Sequence, residues 1–348
     1  MSLNLNEINK HSVFVLDNQN KPLTPTTPAK ARKLIKAGVA VKTFSKFNTF
    51  GVILLTDTRK EIEQGTLGYD VGTKFEGYSI VVGKENLLNV KLDLPDKKQI
   101  VRKLEERRIL RRTRRGRKCR RRPARFRNRS RKGFIAPSQL VMIQSRLKVL
   151  KELVRIYPIS NAGIEDVRFN HAKKRWGKNF STCEIGKSMI RKFFKDLNIK
   201  LYEFAGYETK QIREKYGYKK SSKKGEDVFS SHCSDSLSLA LEVGLGERIQ
   251  VGKFLVVDDS YRCVRRKLHD TQAGKGGKRA EYSKGTVRRV TKGRLVGFEK
   301  GKIGRICGRT GEYYFYHDRE GKRKTGKEIK FISTQFIIKK GDAFPLGH

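Results

Sequence analysis

Three acidic residues occupy positions at which carboxylates commonly bind divalent metal ions. Asp70 ends a predicted strand, Glu165 ends a later predicted strand, and Asp235 lies in the early turns of a predicted helix. Carboxylate oxygens suit Mg²⁺, which keeps several water ligands and also binds substrate phosphates. Two such ions about 3.5–4 Å apart can activate water and stabilise the leaving oxygen of a phosphodiester. We therefore predict that these three residues bind two Mg²⁺ ions, which Mn²⁺ can replace.

A histidine precedes the third acid by three residues, in the order His232 then Asp235. This spacing places both side chains on one face of a helix. A histidine can take a proton from an attacking water near neutral pH, and it can also bind a metal ion. The alternative is a structural histidine near the start of a helix. Because Asp235 is so close in sequence, we predict that His232 is a catalytic base or a metal ligand.

The charge of the chain indicates a polyanionic partner. Eighty Lys and Arg residues oppose 35 Asp and Glu residues, which gives a net charge of +45 over 348 residues. Such a charge is difficult to hold on a compact protein unless a polyanion neutralises it, and nucleic acid is the obvious candidate. A membrane surface is the alternative, but the sequence has no long apolar span and no basic amphipathic helix with a continuous apolar face. We predict nucleic-acid partners and no membrane partner.

The cysteines and the first ten residues indicate the compartment. The five cysteines lie far apart without a CxxC pair, which argues against a zinc ribbon and against a disulfide framework. Residues 1–10 are polar and mixed in charge, unlike a secretion signal. We predict reduced thiols in a cytosolic protein.

An internal block of positive charge covers residues 102–132. It holds 18 Lys or Arg residues among 31, against two Glu residues. Blocks of like charge are commonly solvated and disordered, and many are terminal tails. This block is internal and rich in arginine, whose planar guanidinium binds phosphate bidentately and stacks on bases. We predict a helix ordered by its ligand, although Gly116 and Pro123 interrupt any single long helix.

The order of the predicted elements indicates the fold class. A small opening unit, residues 11–57, has a strand, an extended proline-containing connection, a basic helix and a closing strand. Three strands precede the arginine block, and helix, strand, helix, strand, loop and helix follow it. We predict an α/β fold with an RNase H-like mixed sheet that the basic block interrupts. From about residue 246, short strands and glycine-rich turns predict a small β-barrel.

Three local predictions concern the second half of the chain. Residues 230–243 are predicted as one helix, with Ser231 as a candidate amino-terminal cap. A strand at residues 254–257 is assigned to the β-rich end, and residues 262–294 are assigned to loops. Residues 313–316 are aromatic, and we predict that they alternate between core and surface, with base stacking as the alternative.

Several motifs resemble those of the IscB group of transposon-encoded, RNA-guided nucleases. G-Y-D-V-G-T at residues 68–73, followed by G-Y-S-I-V, resembles the first RuvC motif. I-E-D-V at 164–167 and H-C-S-D-S-L-S-L-A at 232–240 resemble the second and third. The arginine block resembles the bridge helix of these proteins. The opening unit, with V-F-V-L-D and P-L-T-P, is similar to their amino-terminal domain named for a P-L-M-P motif, with Thr24 in place of Met.

One departure narrows the resemblance. IscB proteins carry an HNH nuclease between the second and third RuvC motifs, but here only 66 residues separate Glu165 from His232. That interval contains one histidine, His171, and no H…N…H arrangement. The resemblance is therefore greatest to the IsrB subgroup, the IscB relatives that lack the HNH domain.

This resemblance implies an RNA-guided mechanism. A structured guide, the ωRNA, would pair with one strand of double-stranded DNA in an R-loop, while the protein reads a short target-adjacent motif. A single RuvC centre, with Asp70, Glu165, His232 and Asp235 as catalytic and metal-binding residues, would nick the displaced non-target strand. The resemblance also implies a monomer in a ribonucleoprotein, located in the cytoplasm of a prokaryote and associated with the DNA of the nucleoid. The resemblance assigns guide-RNA binding to Arg107, Arg108, Arg111, Arg112, Arg114, Arg115, Arg117, Arg120, Arg121, Arg122 and Arg125.

The resemblance also implies a division into domains. The predicted segments are a PLMP-like amino-terminal domain (1–57), RuvC part I (58–98), an arginine-rich bridge helix (99–132), RuvC part II (133–170), RuvC part III without an HNH insertion (171–245), and a β-rich domain (246–348) that contacts the target-adjacent motif and RNA.

Other function classes remain open. A guide-independent RuvC-like nuclease or resolvase would share the acids, but it needs neither an internal arginine helix nor the two extra domains. A non-catalytic RNA-binding protein would carry such a charge, but it does not need acids in this order. A guide-binding relative that has lost activity would not be expected to keep Asp70, Glu165, His232 and Asp235 together.

Overall fold

The computed structural model describes most of the chain, in two compact units. The first unit comprises residues 1–94, 139–259 and 338–348, and the second comprises residues 95–138 and 260–337. The described residues are 12–56, 61–116, 135–166, 182–244, 246–259, 286–287, 290–291, 293–298, 302–318, 322–331 and 337–340.

The described elements include both helices and strands, as expected for an α/β protein. The helices are α1 (Pro28–Lys36), α2 (Lys97–Gly116), α3 (Pro137–Ile156), α4 (Lys187–Asp196), α5 (Gly206–Lys215), α6 (Phe229–His232) and α7 (Ser234–Gly244), with a 3₁₀ turn at Thr182–Glu184. The strands are β1 (Val13–Leu16), β2 (Pro22–Thr26), β3 (Ala40–Phe44), β4 (Phe50–Leu54), β5 (Gly65–Asp70), β6 (Phe75–Val82), β7 (Glu85–Asp93), β8 (Ile159–Glu165), β9 (Lys200–Phe204), β10 (Lys253–Asp258), β11 (Thr286–Val287), β12 (Val290–Thr291), β13 (Leu295–Gly297), β14 (Ile303–Thr310), β15 (Tyr313–His317), β16 (Arg323–Gly326), β17 (Lys330–Phe331) and β18 (Ile337–Lys340).

A four-stranded sheet opens the first unit, in the order β2-β1-β4-β3. Thr27 caps α1, since its hydroxyl accepts from the Lys30 amide, and the left-handed Gly38 (φ 72°) follows the carboxy-terminal end of the helix. The apolar face of α1 covers a core that includes Val13 and Val52. The proline-containing segment was predicted as an extended connection, and it is in fact strand β2, paired antiparallel with β1. Strand β3 was not predicted.

A seven-stranded mixed sheet forms the centre of the first unit, in the order β18-β10-β7-β6-β5-β8-β9. Strands β5, β6 and β7 are antiparallel neighbours, and β8 and β9 continue the sheet parallel to β5. This mixed α/β arrangement is compatible with the predicted RNase H-like fold. The strand at residues 254–257 was wrongly assigned to the β-rich end, because β10 pairs in parallel with β7 in the central sheet.

The predicted helix over residues 230–243 is divided in two. Helix α6 ends at His232, Cys233 is not helical, and α7 begins at Ser234. Ser231 is not a cap, because it lies inside α6 and its hydroxyl donates to the Lys223 carbonyl at 3.1 Å. Helix α5 was not predicted, although it covers α7 on the central sheet.

The second unit contains α2 and two antiparallel sheets. One sheet is the pair β11-β12, and the other has the order β16-β15-β14-β13-β17. The side chains of Val296, Phe298, Ile306 and Tyr316 form a core on one face of the larger sheet. Where a small β-barrel was predicted, the described residues form this five-stranded sheet. Most of the predicted loop segment at 262–294 lies outside the described residues. Among the described helices, none combines the length and apolar character needed to cross a membrane.

Candidate metal centre and nucleic-acid-binding helix

Small residues bring α7 close to the central sheet. A Cβ atom on Gly68 would lie 1.6 Å from the Ser236 carbonyl oxygen, and one on Gly77 would lie 2.1 Å from the His232 carbonyl oxygen. Gly163 is also tight, since a Cβ there would lie 2.9 Å from the Leu239 carbonyl oxygen. Gly68, Gly77 and Gly163 lie on β5, β6 and β8, so three neighbouring strands lack side chains where the backbone of α6 or α7 contacts them. Such contact requires glycine, and it places the first turn of α7 beside the ends of β5 and β8.

Two of the predicted acids lie at the same end of adjacent parallel strands. Tyr69 of β5 pairs with Ile164 of β8, so Asp70 and Glu165 are the next residues of the two strands. Desolvation raises the pKa of the half-buried Asp70 well above the usual range, and the charge of Glu165 and a hydrogen bond with it raise the pKa further. The charge of Asp235 acts in the same direction. The structure therefore brings the three acids together.

The third acid is held by two basic side chains. Asp235 Oδ1 accepts from Arg213 Nη1 at 2.5 Å, and Asp235 Oδ2 accepts from Lys220 Nζ. Among the described residues, no group of three or more His, Cys, Asp or Glu side chains is arranged to hold a metal ion. The donors nevertheless suit Mg²⁺, because they are hard oxygen ligands and because Glu165 and Asp235 place negative charge beside Asp70 that a divalent cation would neutralise.

His232 lines a pocket of ≈ 610 Å³ together with Asp70 and Lys220. Its ring does not continue the helical face of Asp235 as predicted, because the helix breaks between them. His232 Nε2 hydrogen bonds with the Glu226 carbonyl at 2.9 Å, and Nδ1 is buried with no hydrogen-bond partner among the described residues. Burial lowers the pKa of His232, and the charge of Lys91 lowers it further. A neutral imidazole that donates from Nε2 keeps a free lone pair on Nδ1.

A buried ion pair that the sequence analysis missed supports the turn after Asp70. Arg146 Nε donates to Glu76 Oε1 at 2.7 Å, and both side chains are almost completely buried. The stacked Tyr69 and Tyr78 rings donate their hydroxyls to Glu76 Oε2 at 3.0 and 2.8 Å. Arg146 also donates to the Gly72 carbonyl at 2.9 Å. This network therefore fixes the chain on both sides of Asp70.

A second network lies beside Glu165. Asp166 is buried and accepts from Lys187 Nζ at 2.6 Å, and Arg191 Nη2 lies 3.4 Å from the same oxygen. Arg191 also donates to Glu203 of β9, with its Nε 2.5 Å from Glu203 Oε1. These contacts attach α4 to the ends of β8 and β9. They had no signal in the sequence, because each acid and base looks like an ordinary surface residue.

In the second unit, α2 carries the first part of the arginine block. Arg108, Arg111 and Arg112 are exposed, and Arg107 is half-buried. Ile100 is buried near the start of the helix, whereas Ile109 and Leu110 are 60% and 52% exposed. Arg114 and Arg115 lie in α2, but their side chains are outside the described set. The remaining predicted RNA-binding positions lie outside the described residues, namely Arg117, Arg120, Arg121, Arg122 and Arg125.

The aromatic strand β15 alternates between core and surface as predicted. Tyr314 and Tyr316 are buried, and Tyr316 stacks on Phe298 with ring centroids 4.0 Å apart. Tyr313, in contrast, is 46% exposed, and the Lys327 ammonium lies 5.2 Å from its ring centroid. The core assignment is therefore confirmed for the even-numbered positions, and the exposed face carries aromatic and basic groups.

The arginine block also contains the pattern R-R-T-R-R, at residues 111–115 of α2. Residues 13–184 match the family described as RRXRR protein. The RRXRR match covers just under half of the chain; it includes Asp70, Glu165 and α2 but ends before His232 and Asp235. The RRXRR domain is found in IscB/IsrB-type and related nucleases, so the first half of the chain is linked to a nuclease-associated family. The chain has no significant match among curated proteins.

Proposed function

We propose that this protein is an RNA-guided, metal-dependent DNA endonuclease of the IsrB type. The observation that carries the proposal is the pairing of Asp70 and Glu165 at the ends of adjacent parallel strands, with Asp235 facing them from α7. The RRXRR match over residues 13–184 supports the same class. The reaction is hydrolysis of a phosphodiester bond in DNA.

Asp70, Glu165 and Asp235 would hold Mg²⁺ or Mn²⁺, as one or two ions. When bound, the metal supplies positive charge for the developing negative charge on phosphate oxygens and lowers the pKa of coordinated water. The neutral His232 keeps a lone pair on Nδ1, so it can accept a proton in the pocket or complete the metal ligands. The backbone around Asp70 stays in place because the Glu76–Arg146 pair holds the Gly72 turn.

The proposed substrate is the displaced strand of an R-loop. The exposed arginines of α2 would bind the phosphates of a structured ωRNA, which pairs with the other DNA strand and supplies sequence recognition. With one acid cluster among the described residues and an interval of 66 residues between Glu165 and His232, the protein would cut one strand only. It would work in the cytoplasm, at DNA, as a single copy in a ribonucleoprotein.

The experiment begins with the RNA that the protein binds. The full chain is expressed with the DNA that flanks its gene, and the RNA that copurifies is sequenced. We expect one long structured RNA species. With that RNA and Mg²⁺, DNA labelled on either strand and matched to the guide should be nicked in the non-target strand only. The matched controls are the same DNA with an unrelated target sequence, and the reaction with a chelator.

Three results would contradict the proposal. Random RNA in the purified protein, together with cleavage that needs no RNA, would indicate a guide-independent nuclease. A specific RNA without cleavage in Mg²⁺ or Mn²⁺ would indicate a non-catalytic RNA-binding protein. Cleavage of both strands would contradict a single nuclease centre.

A further inference from the structure

The two basic residues that hold Asp235 differ in their surroundings. Arg213 lies on α5 and is 15% exposed, whereas Lys220 lies on the loop between α5 and α6 and is 39% exposed. Asp235 itself is 5% exposed. Lys220 also lines the pocket with Asp70. One cation is therefore enclosed with the carboxylate, and the other reaches it from the open side of the pocket.

The loop backbone around Lys220 is fixed at several points. Ser234 Oγ donates to the Lys219 carbonyl at 2.9 Å, and the Ser221 amide donates to the Ser230 carbonyl at 3.0 Å. Ser231 Oγ donates to the carbonyl of Lys223 further along the loop. The Lys220 side chain can therefore leave Asp235 by rotation about its own bonds, without movement of the loop.

The residue type fits a removable contact. A lysine ammonium is a single point charge on a flexible four-carbon stem, whereas the arginine fork is planar and preorganised. A carboxylate oxygen that accepts from an ammonium cannot offer the same lone pair to a metal ion. Arg213 offers one positive charge to a cluster of three carboxyl groups, and buried negative charge without compensation is strongly unfavourable. Lys220 can supply further positive charge when no metal is bound.

We propose that Lys220 is an exchangeable counter-ion of the acid cluster. It holds Asp235 Oδ2 when the metal is absent, and a divalent cation displaces it. The released ammonium then binds a phosphate of the DNA strand in the pocket, beside Lys224. This inference rests on the proposed metal site. It gives the Lys220 ammonium two positions, one on Asp235 when the metal is absent and one on a DNA phosphate when the metal is bound.

The exchange links metal binding to DNA binding. The metal must compete with Lys220 in the free protein, so the metal-free acid cluster resists occupation by divalent ions. A DNA phosphate that binds the released ammonium stabilises the metal-bound arrangement, and by reciprocity the metal strengthens DNA binding. Because of Lys220, the metal therefore binds more tightly when the substrate strand is present than when it is absent.

The test measures metal affinity and not cleavage. Mn²⁺ binding to the full chain with its RNA and without DNA is followed by the paramagnetic resonance signal of free Mn²⁺. We expect Lys220→Met to bind Mn²⁺ about fivefold more tightly than the wild type, the low end of common coupling effects. Lys220→Arg, which keeps a cation at this position, should not show the gain.

Lys223→Met is the matched control. Lys223 lies on the same loop, is 73% exposed and pairs with Glu226 at 3.4 Å, so its loss removes the same charge without touching Asp235. We expect wild-type Mn²⁺ affinity for this variant. Equal gains in Lys220→Met and Lys223→Met would overturn the proposal, because they would reduce the effect to general electrostatics. Unchanged or weaker Mn²⁺ binding by Lys220→Met, with a wild-type unfolding midpoint, would also overturn it.

Asp70→Ala separates this inference from the proposed function. If Asp70→Ala leaves Mn²⁺ binding unchanged, the proposed metal site is wrong and the exchange fails with it. If Asp70→Ala abolishes Mn²⁺ binding while Lys220→Met matches the wild type, the exchange alone is wrong. Loss of binding in Asp70→Ala, together with tighter binding in Lys220→Met, supports both.

Discussion

The acid end of the central sheet and helix α2 use basic residues in opposite ways. Around the acids, Arg146, Arg213 and Lys187 each pair with a buried carboxylate at 2.5–2.7 Å. On α2, Arg108 and Arg111 are exposed. A buried pair positions the backbone and side chains near it, whereas an exposed guanidinium on a strongly basic helix is suited to an external anion. The basic residues of this chain therefore have two roles. Some pair with buried carboxylates inside the fold, and others are exposed and suited to bind a partner.

The largest effect on stability is expected at the buried pair behind Asp70. Arg146→Met should lower the free energy of unfolding by about 3–5 kcal/mol, because Glu76 is left charged and buried without its partner. Urea denaturation measures this loss. Lys192→Met is the control, since Lys192 and Asp196 are both exposed, and it should change stability by less than about 1 kcal/mol. Similar losses in the two variants would remove the distinction between internal and external basic residues.

The arginines of α2 should affect binding and not folding. Replacing Arg111, Arg112, Arg114 and Arg115 together with Gln should weaken binding of the copurified RNA. The plot of the logarithm of the binding constant against the logarithm of the salt concentration should also become less steep, by up to about 3 in slope. Each lost phosphate contact removes about 0.7 from that slope. Filter binding at several salt concentrations measures both.

A charge-matched variant serves as the control for this prediction. Replacing Lys192, Lys195, Lys210 and Lys215 of α4 and α5 with Gln removes four exposed charges from the first unit. We expect a smaller change in the slope than for the α2 variant. Unchanged RNA affinity in the α2 variant would show that its arginines are merely solvated.

The smallest effect is expected at His232. Because burial lowers its folded pKa below the ordinary value of 6.5, the unfolded chain binds more protons between the two values, and stability rises with pH there. The stabilisation is complete above pH 6.5 and is lost as the pH falls through the folded pKa. Between pH 7.5 and 5.5 the wild type should lose on the order of 1 kcal/mol more than His232→Gln. If the free energy of unfolding changed with pH in the same way in the two proteins, His232 would be more exposed to solvent than the structure shows.

The elements and residues that the sequence predicted well depend on local patterns. The strands that carry Asp70 and Glu165 were found because apolar runs end in an acid, and the arginine helix was found from its composition. Helix α5 was missed because it lacks a clear apolar period; only Thr209 and Ile212 are buried along it. The break at Cys233 is invisible in sequence, since it depends on the fit of α6 and α7 to the glycines of the sheet.

The supporting residues could not be predicted from the sequence. Glu76 and Arg146 are 70 residues apart, and Lys220 reaches Asp235 from the loop between α5 and α6. Such pairs depend on how distant segments meet in the fold. A single sequence gives residue types and local periods, but it does not give these long-range contacts.

The most direct test of the account is strand cleavage by Asp70→Ala in the ribonucleoprotein. With matched DNA and Mg²⁺, we expect nicking to fall by more than the roughly 10–100-fold that loss of an outer-sphere residue at a metal site typically costs. Guide-dependent DNA binding should stay within about fivefold of the wild type, since the guide and α2 are unchanged and only the part of DNA binding linked to the metal is lost. Cleavage retained by Asp70→Ala, at a rate close to the wild type, would contradict the assignment of the acid cluster as the nuclease centre.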